Sequence, residues 1–417
     1  MKLPDRWKNI KLSDIGNISK GSGIKREDSN SGTIPAVRYG ELYTSHNDYI
    51  KEFYSFISEK VAEESVLLKK GDLLFTCSGE TKEDIGKCAA FVSDCKAYAG
   101  GDLIIFSPKV PCDSKFLGFL CNSYSINKQR YRYAQGDSVV HISTESIANL
   151  KITFPPLAEQ QKITEILCKQ DKIIFLKQKL LEQKLQQKKW LMQKLLEVPL
   201  TDANDEEKFS LDGVVIDKSG WKKEKIKNVA EISSGSTPRR DETENFKGNI
   251  LWLTSGELKQ KYIFDTKEHI SKQGAEKSNL TVYKPGTVVI AIYGLEAAGI
   301  RGTCSIINTE CTISQACMAF TNFKKVTNEY FYYWYLQNGQ TIGIRYAQGT
   351  KQQNLSTDLI GNLSIEIPSL PEQKIIAQVL STADKEIALL KSSIEQEKQK
   401  KKSLAQLLLT GTVRVKI

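Results

Sequence analysis

The sequence predicts an α+β protein: two similar mixed, mostly β heads separated by two long antiparallel coiled-coil helices, with a pseudo-twofold internal repeat. Three observations lead there. The chain is written twice at an offset of about 214 residues. Each copy opens with short apolar runs punctuated by Gly and Ser. Each copy closes with about forty residues carrying a heptad-spaced stripe of Leu and Ile.

The duplication is read directly. RWKNIKLSDIGNISKGSG (6–23) matches GWKKEKIKNVAEISSGST (220–237), YGEL (39–42) matches SGEL (255–258), and KKGDLLFTCSG (69–79) matches KPGTVVIAIYG (284–294). RYAQG stands at 132–136 and at 345–349, and ANLKITFPPLAEQQKITEIL (148–167) matches GNLSIEIPSLPEQKIIAQVL (361–380). The intervening stretches, such as 43–66 against 259–280, scarcely match. Plain drift would not spare RYAQG while erasing its neighbours. A shared scaffold with divergent variable parts suits two related binding modules with different ligands.

Within each copy, runs such as DLLFTC, AAFV and DLIIF, or TVVIAIYG, TCSIIN and ACMAF, read as strands. SKFLGFLCNSYSINKQRYRY and TNEYFYYWYLQNGQTIGIRY read as one amphipathic helix per copy. Pro155-Pro156 and Pro368 then mark helix entrances. Beyond them, Leu167, Ile174, Leu181 and Leu195 recur at seven or fourteen residues, as do Leu380, Ile387 and Ile394 on one seam position and Leu390 and Leu404 on the other. Lys188, Glu397 and Lys401 interrupt the seam. A helix of 38–40 residues spans about 55–60 Å, and a lone helix cannot bury such a stripe. The economical solution packs the two on each other; separate docking of each helix on its own head is the alternative. The expected division is a first head over 1–156, a central spacer helix over 157–200, a second head over 201–370 and a C-terminal spacer helix over 371–417.

Composition narrows the function classes. Net charge is +10, but 157–198 and 371–417 each hold nine basic and five acidic residues, so the rest of the chain is only +2. Bulk charge alone is thus a weak argument for nucleic acid. No stretch approaches the roughly 18 apolar residues of a membrane span, and MKLPDRW has no apolar signal core, so a cytoplasmic protein is expected. Nine Cys without a C-x-x-C pair, and three His away from them, read as buried free thiols on strands and not as a metal site or a disulfide framework. There is no phosphate-binding loop, no dinucleotide fingerprint and no H-E-x-x-H. FPPL (154–157) has the Pro-Pro of an amino-methyltransferase loop but lacks its leading Asp or Asn. The expectation is a chain without catalysis and without a metal site.

The paired segments PPLAEQQKITEIL…D (155–171) and PSLPEQKIIAQVL…D (368–384), with LMQKLL (191–196), LAQLLLTGTVRV (404–415) and the two RYAQG turns, closely resemble the specificity (S) subunit of Type I restriction-modification enzymes. The resemblance covers essentially the whole chain, and the motifs are specific as a set. It implies two target recognition domains, each reading one half of a bipartite, asymmetric double-stranded DNA target, on helices that set the gap. It implies two modification (M) methyltransferase subunits docked on the helices, and restriction (R) translocase and nuclease subunits beyond them. S-adenosylmethionine, ATP and Mg would belong to those partners, with no cofactor bound by this chain.

Under that resemblance the Gly-rich loops become candidates for DNA contact. In the first copy these are Lys20, Ser22, Lys25 and Arg26, then Ser78, Thr81 and Lys82; in the second, Ser236, Thr237, Arg239 and Arg240, then Tyr293, Glu296 and Arg301. Gly21 and Gly235 would let the backbone approach a phosphate, and Arg would fork onto guanine; a solvated turn is the plain alternative. Arg132 and Arg345 are identical in both heads, so they suit scaffold or phosphate contact and not base reading. The segments that follow diverge, with His141 against Lys351 and Gln352. Tyr39 and Trp252 are open between base contact and core. Glu159, Gln160, Glu372 and Gln373 are either helix caps or part of the M-subunit docking surface. Two other classes stand beside this reading: a non-catalytic coiled-coil scaffold that binds protein, and a self-contained DNA nuclease or methyltransferase.

Overall fold

The computed structural model describes residues 4–197, 208–211, 214–295, 297, 299–347 and 354–417. The chain folds as two compact units. The first runs to Lys179 and resumes at Ser392; the second is Leu180–Lys391. Both boundaries fall inside the long helices, Leu157–Leu196 and Leu370–Leu409, so each unit owns one part of each helix.

In the first unit an antiparallel sheet orders the strands Gly16–Lys20, Leu103–Pro108, Leu73–Thr76 and Cys88–Ala90. Its inner strands read LLFT and LIIF without alternation because both faces are covered, and these residues are buried throughout. A second sheet orders Ser55–Ile57, Ile34–Val37, Tyr98–Ala99 and Val66–Leu67, its middle pair parallel. Lys8–Lys11 pairs with Lys151–Phe154, the strand that feeds the central helix.

The second unit repeats this plan. Glu231–Ser234, Cys317–Thr321, Val288–Ala291 and Cys304–Ile307 take the same order, extended by Tyr262–Ile263. Glu268–Ile270, Ile250–Leu253 and Cys311–Ile313 form the second sheet, and Lys222–Lys225 pairs with Ser364–Ile367. The duplication in sequence is therefore a duplication in topology. Cys88, Cys304, Cys311 and Cys317 are buried thiols on these strands, whereas Cys95 is exposed.

One expected helix differs. SKFLGFLCNSYSINKQRYRY forms two helices, Ser114–Cys121 and Tyr124–Tyr133, whereas its counterpart runs unbroken as Asn328–Tyr346. The break falls at Asn122, whose side chain leaves the helix for a strand edge. It accepts from Cys88 N and donates to Cys88 O and to Asp48 Oδ1.

The two long helices pair antiparallel within each unit. In the first, Gln170 donates to Glu397 Oε2 at 2.6 Å, Lys177 reaches Glu397 at 2.8 Å, and Lys401 reaches Asp171 at 2.8 Å. In the second, Lys184 pairs with Glu386 at 2.7 Å and Lys188 with Asp384 at 2.5 Å. One number rises as the other falls. Leu167, Ile174, Leu195, Leu380, Ile387 and Ile394 are buried; Leu181, Leu390 and Leu404 are half-buried. The polar residues that interrupt the seam are thus ion-paired across it. Burial pulls the Lys401 ammonium down, but Asp48 and Asp171 outweigh it and hold it above the ordinary lysine value.

Each helix entrance is clipped to its head by a glutamine. Gln160 is fully buried; its Oε1 accepts from Asp113 N at 2.9 Å and its Nε2 donates to Pro155 O at 2.8 Å. Gln373 is also fully buried, accepting from Thr327 N at 2.7 Å and donating to Pro368 O and Lys325 O. Glu159 is buried too, accepting from Trp7 Nε1 at 3.0 Å and from Arg414 Nε at 2.9 Å. Glu372 caps its helix by accepting from Ser369 N and Oγ. A docking role is therefore corrected for Glu159, Gln160 and Gln373: their polar atoms are spent inside the fold.

Replacing either glutamine with leucine strands a buried backbone N–H and a carbonyl. Gln160→Leu and Gln373→Leu should each lower stability by about 1–3 kcal/mol, read as a lower urea midpoint. An unchanged midpoint in both would show that the clips carry no weight.

Candidate nucleic-acid interface

The groove of the first unit begins at the short helix Tyr39–Thr44, which follows the strand Ile34–Val37. Its Glu41 is buried. The carboxylate accepts from Arg38 N at 3.4 Å and from the Ser55 hydroxyl, and lies 3.8 Å from His46 Nε2. Burial pushes the Glu41 carboxyl up, but the neighbouring His46 ring and hydrogen bonds from Ser55 and Arg38 outweigh it and hold it below the ordinary glutamate value. Glu257 does the same work in the second unit, accepting from Thr254 N and Oγ1 and from Lys267 N. The shared Gly-Glu-Leu motif is thus a loop anchor common to both heads.

Two adjoining cavities share Tyr39, Gly40 and Thr44. One, of about 590 Å³, is lined further by Tyr43, Ser78, Thr81, Asp84 and Ser138. The other, of about 390 Å³, is lined by Lys25, Arg26, Arg38 and Asp102. Three segments far apart in sequence therefore meet. Ser78–Gly79 pairs antiparallel with Val140–His141, and Ser78 Oγ lies 3.0 Å from His141 Nδ1. Lys82 Nζ stands 3.6 Å from Asp137. Tyr43 holds the floor, its hydroxyl 2.7 Å from Thr76 Oγ1 and donating to Ser78 O at 3.0 Å; burial pushes its phenol up. The result is a polar trough lined by cations, carboxylates and hydroxyls. Such a trough offers donors to phosphate and acceptors to the exocyclic amines of cytosine and adenine.

Other first-copy candidates fall outside it. Lys20 is exposed at a strand end. The Ser22 hydroxyl donates to Glu64 O at 2.7 Å and so serves the fold. Arg132 is exposed at the C-terminal end of the helix Tyr124–Tyr133. Arg345 is likewise exposed at the end of Asn328–Tyr346, so the two identical arginines hold equivalent places.

The second unit is built differently at the corresponding loops. Arg240 makes a two-pronged pair with Glu268 at 2.6 and 2.8 Å, and its guanidinium lies 4.6 Å from the Phe246 ring centre and 5.2 Å from that of Trp252. Arg239 pairs with Asp241 at 2.7 Å. Trp252 is core, donating Nε1 to Ser236 O, whereas Tyr39 is exposed. Ser236, Thr237, Tyr293 and Arg301 are half-buried, and the Arg301 stem lies against Gly343. Lys351, Gln352 and Glu296 lie outside the described residues.

The glycines at the two loops have a packing role. A Cβ on Gly21 would meet Gly100 O at 2.0 Å, and one on Gly235 would meet Ile313 O at 2.2 Å. On its Cβ side each is pressed against the neighbouring backbone. Sequence reasoning missed Tyr43, Thr44 and Asp84. Their signal is tertiary, because only strand pairing brings residues 76–84 and 137–141 beside the helix Tyr39–Thr44. Among the described residues there is no cluster of metal-binding side chains and no helix long and apolar enough to cross a membrane.

Comparison with known proteins points the same way. The family model described as the Type I restriction modification DNA specificity domain matches residues 4–186 and again 218–399. The Type I restriction enzyme MjaVIII specificity subunit of Methanocaldococcus jannaschii is 24% identical, over 100% of this chain and 95% of that protein. A solved structure of the HsdS subunit from Thermoanaerobacter tengcongensis has a TM-score of 0.52 at 17% identity over 99% of both chains. A chain from a structural study of assembly and conformational transition of the type I R-M system has a TM-score of 0.66 at 16% identity, covering 99% of this chain and 100% of that one. These solved structures share the fold.

The glycine geometry is testable directly. Gly21→Ala and Gly235→Ala should each destabilise by about 2 kcal/mol or more, because backbone must move. Gly40→Ala has open space around its Cβ and should leave the melting temperature within about a degree. Equal effects at all three positions would contradict the packing role.

Proposed function

The chain belongs to the family of Type I restriction-modification DNA specificity subunits, and on that premise we propose that each of its two heads reads one half of a bipartite, asymmetric DNA target. The observation that carries this is the contrast between the heads. They share strand order, the anchoring glutamate and the exposed arginine, yet their candidate reading surfaces differ. The first offers a trough with Lys25, Arg26, Ser78 and Thr81. The second offers Arg240 held by Glu268 on an aromatic shelf. Unlike readers on a like scaffold suit unlike half-sites, as symmetric dimers suit palindromes.

In this reading the chain supplies recognition only. Adenine methylation, with S-adenosylmethionine, belongs to two modification subunits held by the helices; translocation and cleavage, with ATP and Mg, belong to restriction subunits. Arg132 and Arg345 contact phosphates, and Ser78, Thr81 and His141 face base edges. The gap between half-sites follows the helix pair. A neutral protein-binding scaffold would lack both salt-dependent DNA affinity and methyl transfer.

The purified chain, mixed with its modification subunit, should methylate adenine in DNA carrying the target and should lose affinity steeply with salt. Arg132→Ala and Arg345→Ala should weaken binding to all sequences alike, each reducing the salt slope by about 1. Thr81→Ala should alter discrimination in one half-site only, by about 1–3 kcal/mol at the base it touches. Salt-independent binding, or methylation by the purified chain alone, would overturn the assignment.

A further inference from the structure

The heptad seam of the long helices is interrupted at two equivalent places. Lys401 on the C-terminal helix meets Asp171 on the central helix at 2.8 Å, and Lys188 on the central helix meets Asp384 on the C-terminal helix at 2.5 Å. The two pairs are related by the internal repeat: the offset from Asp171 to Asp384 equals that from Lys188 to Lys401. All four side chains are mostly buried, between 17 and 29% exposed. Each pair also receives a group from its own head. Asp48 reaches Lys401 at 2.9 Å, and the ammonium lies 5.0 Å from the centre of the Phe119 ring. In the other unit the Tyr333 hydroxyl donates to Asp384 Oδ2 at 2.8 Å.

An apolar heptad seam alone is degenerate. Sliding one helix by a heptad restores every leucine contact, and that slide is about 10.5 Å, or about three base pairs of DNA rise. A buried ion pair breaks the degeneracy, because any slip leaves two desolvated charges without partners. Fixing register is the best-attested use of polar groups in such seams. Here the same atoms also bind the head, so register and head placement are set at one junction.

We propose that Asp171–Lys401 and Asp384–Lys188, with Asp48 and Tyr333 reaching them from the heads, are positioning residues that hold each recognition domain at a fixed register on the helix pair and so sharpen discrimination between target gaps. This rests on the DNA-specificity reading and deepens it.

The test uses the full chain in complex with its modification subunits. Methylation rates are measured on DNA with the cognate gap and with gaps altered by one and by three base pairs. The double variant Asp384→Leu with Lys188→Leu, and the triple variant Asp171→Leu, Lys401→Leu and Asp48→Asn, which leaves no carboxylate stranded where Lys401 was, replace the ions by uncharged side chains and should melt no lower than wild type. Their off-gap methylation relative to cognate should rise about tenfold or more. Tyr333→Phe deletes one hydroxyl and should raise the ratio about threefold. Exchanging the charges, Lys188→Asp with Asp384→Lys, should return the ratio toward wild type where either single change does not. A purely structural pair would move the melting temperature and leave the ratio fixed. Folded leucine variants and Tyr333→Phe with wild-type gap ratios would overturn the proposal. A wild-type complex that methylates no DNA at all would instead overturn the specificity reading beneath it.

Discussion

A helix of forty residues with a stripe of Leu and Ile must find a partner for that stripe. This chain meets the constraint by pairing its two long helices antiparallel within each unit. Ile174 and Ile394 are buried in one unit and Ile387 in the other, while Leu167, Leu195 and Leu380, nearer the helix ends, join the cores of the heads. Because the helices run in opposite directions, each unit takes the start of one and the end of the other. Neither half of the sequence is therefore a self-sufficient folding unit. The C-terminal residues complete the first unit: Arg414 pairs with buried Glu159, which also holds Trp7.

Much of this fold was legible in the residues because duplication multiplies weak signals. A run such as LLFT or VVIA is ambiguous alone, but the same run at the same place in two copies fixes strand and order together. The heptad spacing gave the helices, and its polar interruptions are explained by the antiparallel partner. What sequence could not show was the break at Asn122. That break depends on a side-chain amide finding Cys88 and Asp48 on other elements, which no local propensity encodes. The pairing of Gln160 with Asp113 and of Gln373 with Thr327 was hidden for the same reason. A polar pair after a proline looks like a cap or a surface, and only tertiary contact turns it into a buried clip.

The site was less legible. Of the loop residues, Lys25 and Arg26 line one of two adjoining cavities and Ser78 and Thr81 the other, and His141 meets Ser78. Ser22, Gly21 and Gly235, polar or small residues of like loops, make packing contacts. Loop residues that face outward and loop residues that brace the turn have the same polarity in sequence, and only the neighbouring backbone distinguishes them. Arg240 shows the converse: its partners Glu268, Phe246 and Trp252 make it a fixed cation instead of a loose one.

The account predicts recognition in two unlike halves by a chain whose chemistry lies in its partners. Methylome sequencing of the host with and without this gene tests that most directly. Loss of the gene should erase adenine methylation at one asymmetric motif made of two dissimilar half-sites separated by a constant unspecific gap, with all other methylation intact. Persistence of every methylated motif, or loss of a single contiguous palindrome, would contradict it.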